Sequence, residues 1–257
     1  MILWFTPNNI ASKNIAEKLI KEHDFAMIKE NVWERNGIRM IKTDVPSVLD
    51  VPTDFDTDCI IVLSSHRSKV DGKVLTAHVP GNWNDADFGG EPRTLNIAAC
   101  SRLKILAQEI KKEADRIGWK FCLEADHHGP TCNVPLIFVE IGNGEKEWKD
   151  EKASGAIANA VSRAIKRNEQ YEAVFGVGGG HYCKDFTRLV LETDLAFGHI
   201  APKYAISDLG EDTFRQALEK NVEKISKILI LKKETNSSQK KKVFALAEKF
   251  GVPYELV

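Results

Sequence analysis

The apolar positions of this chain follow two periods that exchange along its length. Residues 1–6 open with an apolar run, which Thr6-Pro7-Asn8 breaks. Ile10, Ala11, Ile15, Leu19 and Ile20 then recur at the spacing of one helix face. Strand-like runs follow at 25–32, 37–42, 58–64 and 74–79. The run 59–63 is apolar on both faces, as a central strand covered on both sides would be. Residues 80–93 are rich in Gly, Asn, Asp and Pro and read as a loop. A long helix is predicted over 94–117, where Leu95, Ala99, Leu103, Leu106, Ile110, Ala114 and Ile117 recur, with Gly118 as its stop. Strands are predicted at 120–125, 135–141, 173–177, 195–200, 225–231 and 252–256. Helices are predicted at 151–168, 184–192, 212–222 and 238–250. This alternation predicts an α/β protein with a mixed, largely parallel sheet flanked by helices. No linker or internal repeat interrupts residues 1–257, so one domain is expected.

Composition narrows the class. With 43% hydrophobic and 28% charged residues a packed core is expected and wholesale disorder is excluded. The net charge of −1 argues against an indiscriminate nucleic-acid binder. That average hides contrast. Residues 50–99 hold eight acidic against four basic side chains, whereas 224–242 hold seven lysines against one glutamate. The helix at 94–117 adds Arg102, Lys104, Lys111, Lys112 and Arg116, and such surfaces suit phosphates, although charge runs are usually solvated faces. The five cysteines contain no C-x-x-C pair, so neither a disulfide scaffold nor a zinc ribbon is expected. No secretory leader and no membrane span are recognisable, which predicts a cytoplasmic protein without a membrane partner.

Chemistry concentrates after the strands. His66, His127, His128, His181 and His199 lie at or just beyond predicted strand ends, where open α/β sheets bind ligands. Asp126-His127-His128-Gly129 places two imidazoles and a carboxylate in one turn, and these are good zinc ligands. No compact H-E-x-x-H motif occurs, so any metal site must be assembled from distant segments. Glu140 reads either as an extra ligand or general base, or as a strand-end carboxylate meeting a basic partner. The run Gly176-Val177-Gly178-Gly179-Gly180-His181 fails as a dinucleotide fingerprint, because its third glycine position is His181. It reads as a turn aiming His181 into a cleft, with N–H groups free for a phosphate or an oxyanion, or as a plain tight turn. Ser64, Ser65 and Cys183 fit no nucleophile elbow.

Four motifs occur in order. They are Ser64-Ser65-His66-Arg67-Ser68, Leu75-Thr76-Ala77-His78-Val79-Pro80-Gly81-Asn82, Glu124-Ala125-Asp126-His127-His128-Gly129-Pro130-Thr131, and Gly176-Val177-Gly178-Gly179-Gly180-His181-Tyr182. Together they resemble the archaeal and plant type of D-aminoacyl-tRNA deacylase over nearly the whole chain. The resemblance implies a fold similar to peptidyl-tRNA hydrolase and phosphorylase-like proteins. It also implies a zinc-dependent ester hydrolase, with two ions per subunit, that frees D-amino acids from mischarged tRNA, including aldehyde-modified forms. On that basis His66, Asp126, His127, His128 and His181 are expected to bind metal, and His128, Glu140 and His181 to be catalytic. Arg67, Lys69, His78, Asn82, Gly178, Gly179 and Gly180 are expected to meet substrate, in a monomer whose partner is D-aminoacyl-tRNA. A related hydrolase acting on another ester or amide, and a non-catalytic RNA-binding protein, are the alternatives.

Overall fold

A computed structural model describes residues 1–51, 57–69 and 72–257. The acidic residues Asp54, Asp56 and Asp71 lie outside the described residues. The elements are β1 (Ile2–Phe5), α1 (Ile10–Glu22), β2 (Ala26–Lys29), β3 (Val32–Arg35), β4 (Ile38–Lys42), β5 (Ile60–Ser65) and β6 (Val74–His78). Then come α2 (Cys100–Ile117), β7 (Lys120–Leu123), β8 (Leu136–Gly142), α3 (Glu145–Trp148), α4 (Glu151–Ala164) and β9 (Glu172–Val177). The chain ends with α5 (Lys184–Glu192), β10 (Leu195–Ala201), α6 (Glu211–Glu219), β11 (Lys227–Ile230), α7 (Ser237–Phe250) and β12 (Tyr254–Leu256).

The strands form two sheets. The larger has the order β2-β3-β4-β1-β5-β8-β6-β7 and is mixed; the smaller, β10-β9-β11-β12, is parallel. The α/β class and the mixed, largely parallel pairing agree with the sequence pattern. The division into two sheets was not legible there, because periodicity does not reveal which strands pair. The run at 25–32 resolves into a hairpin turning at Asn31, whose φ of 59° suits a tight turn. The long helix begins at Cys100 rather than at 94. Leu95 and Ala98 instead make isolated bridges to Gly81 and Asn221. The Glu223 carboxylate then accepts from the Cys100 and Ser101 amides at 2.9 and 2.8 Å, capping the helix from a distant segment. Gly118, at φ 70°, ends it as expected.

One face of the large sheet packs on α1, α2 and α4, through Leu63, Leu75, Val139, Leu106 and Ile157. The other face is apolar near β1 and β5, through Trp4, Val62 and Phe138. It becomes polar toward β6 and β7, and this is where the site forms. A third cluster, including Phe175, Phe214 and Leu246, joins the small sheet to α6 and α7. The sheets meet where the segment after β7 pairs with other chain. Cys183 N donates to Leu123 O and Ala125 N to His181 O, each at 2.9 Å, and Asp126 N donates to Ile200 O at 3.2 Å. Among the described residues no helix is long and apolar enough to cross a membrane.

Candidate functional site

Strand parity assembles the first half of the site. Glu140 on β8 pairs in register with Ser64 on β5 and Thr76 on β6, and Thr76 pairs with Cys122 on β7. Side chains two residues apart share a sheet face. His66, His78 and Glu124 follow Ser64, Thr76 and Cys122 by two, so they join Glu140 on one face. All four are buried. The second half comes from loops. His127 and His128 lie in the turn after Glu124, and His181 lies at the seam between the sheets.

These groups converge. The ring centroid of His127 lies 4.2 Å from that of His78 and 4.4 Å from those of His128 and His181. Phe138 stacks on His78 and meets the ring of His128 edge-on. Glu124 is central. Its Oε1 is 3.0 Å from His66 Nδ1 and 3.5 Å from His181 Nε2, and its Oε2 is 3.9 Å from His78 Nε2. Glu140 Oε2 lies 3.6 Å from His78 Nε2 and 3.9 Å from His66 Nδ1.

The hydrogen bonds fix which nitrogens face inward. Backbone carbonyls only accept, so an Nδ1 beside one must carry the proton. His127 Nδ1 donates to Ala125 O at 2.8 Å, His128 Nδ1 to Gly129 O at 2.5 Å, and His78 Nδ1 to Val79 O at 3.2 Å. All three therefore leave Nε2 for the cluster, the arrangement that second-shell carbonyls impose on metal-binding histidines. His66 is held from the other side, its Nε2 lying 2.7 Å from the Tyr182 hydroxyl. That hydroxyl also donates to Asn143 Oδ1 at 3.2 Å.

The cluster fits a cation. Both oxygens of Glu124 and Nε2 of His78 are buried without a hydrogen-bond partner among the described residues. Such groups are costly unless something charged satisfies them. Donor atoms of His66, Glu124, His127 and His181 all lie within 4.8 Å of one another. So do those of His78, His127 and His128, and those of His78, Glu124 and Glu140. This mixed nitrogen and carboxylate set suits zinc and related divalent ions.

Electrostatics agree. Burial, reinforced by neighbouring His78, pushes His128 down to about 4 and His127 well below the ordinary imidazole range, so both are neutral near pH 7. Burial opposes charge on both members of the Glu140–His78 pair, but their mutual attraction outweighs it. Glu140 is lowered to about 2, and His78 is raised. A pH dependence follows for metal-free protein. Below pH 6.5 the unfolded chain protonates His127 and His128 whereas the folded chain resists, so stability falls as pH drops from 6.5 toward about 4. Glu140 adds a loss at lower pH, from about 4.5 toward 2, and the raised His78 acts in the opposite sense, losing its contribution as pH rises above 6.5. Thermal melts across the 6.5-to-4 window should show a falling midpoint, less steep in His128→Asn. A flat midpoint would contradict these environments.

The remaining residues expected from sequence lie apart. Asp126 is buried outside these donor groups. Its Oδ1 accepts from Ile200 N at 2.8 Å and its Oδ2 lies 2.6 Å from His199 Nδ1, while His199 Nε2 lies 3.0 Å from Lys220 O. Both oxygens thus join the two sheets. Asn82 donates to Gly89 O and Glu91 O at 2.9 and 3.2 Å, bracing the loop over the site. A Cβ on Gly129 would lie 2.3 Å from Gly90 N, so only glycine lets that loop rest on the His127-His128 turn. Gly178 and Gly179, at φ 114° and 79°, pack against Leu231, and the Gly178 N–H is spent on Ala201 O at 2.9 Å. That amide is not free to hold an oxyanion; Gly180 faces open space. Arg67 and Lys69 are exposed, Arg67 lying 4.8 Å over the Trp148 ring. Glu124 and Tyr182 received no role from sequence. The available signal for Glu124 was a carboxylate between the apolar residues Leu123 and Ala125.

A cavity of about 170 Å³ opens beside His127 and His128, lined also by Asp85, Asp87, Phe88 and Tyr204.

Comparison with known proteins places this arrangement. A family model described as D-aminoacyl-tRNA deacylase matches residues 53–255. The D-aminoacyl-tRNA deacylase of Thermococcus kodakarensis is 32% identical over 269 residues, covering 98% of each chain. That of Ignicoccus hospitalis is 34% identical, covering 96% of each. A crystal structure described as a conserved protein of unknown function aligns with a TM-score of 0.91 at 29% identity, over 99% of this chain and 94% of the other. On the family match and on identities above 30% across almost the full length, the chain belongs to the D-aminoacyl-tRNA deacylase family.

Proposed function

We propose that this protein hydrolyses the ester bond of D-aminoacyl-tRNA, releasing the D-amino acid and intact tRNA, at a zinc site built by the histidine–glutamate cluster. Family membership supports the reaction. The observation that carries the metal is the buried Glu124 carboxylate, without a hydrogen bond among the described residues and facing His66, His78 and His181.

His66, Glu124, His127 and His181 would hold one ion, and the groups open to a second are His78, Glu124 and Glu140, or His78, His127 and His128. Bound zinc supplies Lewis acidity to an ester carbonyl and to the attacking water. Tyr182 fixes the His66 ring, and Phe138 fixes His78 and His128. Glu140, with its pKa at about 2, is too weak a base to take a proton at neutral pH. Its carboxylate, 3.6 Å from His78 Nε2 and 3.9 Å from His66 Nδ1, instead offers negative charge to a cation held there. His181 is partly open to solvent, with 33% of its side chain accessible. The attacking water balances the reaction by itself, its hydroxyl going to the acyl carbon and its proton to the departing ribose oxygen. The acidic cavity at His127 and His128 receives the aminoacyl end, with Asp85 and Asp87 favouring an α-ammonium. The lysines of 224–242, with Arg67 and Lys69, face the anionic tRNA body. The protein works as a cytoplasmic monomer and as one unit, because the site draws on segments from His66 to His181.

The reading is tested by turnover of D-Tyr-tRNA against L-Tyr-tRNA under identical conditions. Hydrolysis of the D-ester should be faster by orders of magnitude. Equal rates, or turnover of an N-blocked L-aminoacyl-tRNA in preference, would move the protein to another ester or amide substrate.

A further inference from the structure

The acidic cavity is one approach to the histidines. A second and larger one lies on the far side of Tyr182. It is a cavity of about 760 Å³ between α2, the β6–β7 edge and the start of α5. Lys73, Lys111, Lys120 and Lys184 line it, with Trp119 and Phe121 on its floor. Lys111 pairs with Asp115. Lys73, Lys120 and Lys184 have no carboxylate partner among the described residues. Lys73 Nζ lies 5.5 Å from the Trp119 ring centroid.

Lysine on an edge strand can serve merely to block strand pairing. That does not account for this set. Lys120 is on the edge strand, whereas Lys111 comes from α2, Lys184 from α5 and Lys73 from the segment before β6. Four separate parts of the chain thus bring cations to one concavity. Its inner wall is Tyr182, whose hydroxyl touches His66 Nε2, and Asn143, which accepts from that hydroxyl. The groove therefore ends at the cluster.

The two approaches have opposite charge. Asp85, Asp87 and Asp126 line the cavity at His127 and His128, and lysines line the groove at Tyr182. An aminoacyl-RNA has the same polarity, with a cationic amino acid at the tip of an anionic strand. We infer that the lysine groove is the track for the single-stranded 3′ end of the RNA, with phosphates on Lys73, Lys120 and Lys184 and a base against the Trp119–Phe121 floor. This fixes the direction in which substrate crosses the cluster, strand on the Tyr182 side and amino acid on the His128 side. Cationic side chains along an apolar floor are how single strands are commonly held. The inference rests on the deacylase reading for the identity of the RNA, but its binding surface is testable alone.

The test uses the full chain and an unacylated single-stranded RNA of about eight nucleotides ending in CCA. Lys120→Glu combined with Lys184→Glu should weaken its binding at least about tenfold and flatten its salt dependence, each lost phosphate contact removing about 0.7 from the log–log slope. Lys73→Glu alone should act in the same direction. Lys29→Glu, on β2 at the opposite edge of the large sheet, should change neither quantity. The circular-dichroism spectrum and thermal midpoint of the groove variants should match wild type, which separates lost strand binding from a misfolded chain. Equal RNA affinity and salt slope in wild type and groove variants would overturn the track. Lysine-dependent RNA binding without any hydrolysis of D-aminoacyl-tRNA would sink the deacylase reading and leave the track standing. Hydrolysis with lysine-independent RNA binding would do the reverse.

Discussion

Glu124→Gln is expected to strip the protein of bound divalent metal and to cut D-aminoacyl-tRNA turnover by more than the 10- to 100-fold, roughly, that loss of an outer-shell partner costs. The substitution keeps shape and removes only the charge. Glu124 Oε1 lies within 3.5 Å of both His66 Nδ1 and His181 Nε2, and Oε2 lies 3.9 Å from His78 Nε2, so the charge lost is one that three histidines share. Stability should move the other way. In metal-free protein a buried carboxylate without hydrogen bonds is a cost, and a neutral amide lowers it. Metal-free Glu124→Gln should therefore melt no lower than metal-free wild type. Metal added back should raise the midpoint of wild type and leave the variant unmoved, by mass action on the folded state. A variant that keeps both metal and turnover would remove Glu124 from the centre of the site.

Asp126→Ala has the opposite signature. The carboxylate accepts from the Ile200 amide and meets His199 Nδ1, and among the described residues neither nitrogen has another partner. Truncation leaves an amide N–H and an imidazole stranded at the seam between the sheets. Each buried donor left unsatisfied costs about 1–3 kcal/mol, and two are left here. In a chain of this size that lowers the melting temperature on the order of 10 °C. Metal content per folded chain should persist at low temperature, since Asp126 offers no oxygen to the histidine groups. Loss of metal without loss of stability would instead make Asp126 the ligand that its place beside His127 suggests. Melting curves and elemental analysis on one preparation separate the two outcomes.

The contrast between these carboxylates shows what the sequence could convey. Asp126 adjoins His127-His128 and drew attention for that reason, yet strand geometry turns it toward β10. Glu124 carries no histidine neighbour, and only the register linking β5, β8, β6 and β7 puts it on the face with His66, His78 and Glu140. Register is a property of pairing, and one sequence does not reveal it. Periodicity was informative where packing is local. The helix at 184–192 and the glycine stop at 118 appear as expected, because a helix face and a left-handed cap are written in neighbouring residues. It overran where a distant segment intervenes. Residues 94–99 share the helix spacing, but bridges to Gly81 and Asn221 hold them extended and Glu223 defines the start of α2. The glycine run at 176–180 looked like an anion cradle, and its first turn amide proves to be committed to β10. His66, His127, His128 and His181 come together because loops beyond strand ends converge in α/β folds whatever the exact pairing, while His199 turns to Asp126.

On the proposed reading, a cation held by the histidine–glutamate cluster carries ester hydrolysis. The direct measurement is D-Tyr-tRNA turnover by wild-type protein before chelation, after rigorous removal of metal, and after zinc is restored, with metal per chain determined at each stage. Activity that disappears with the metal and returns with it is the predicted result. Full turnover by protein shown to be free of metal would contradict it.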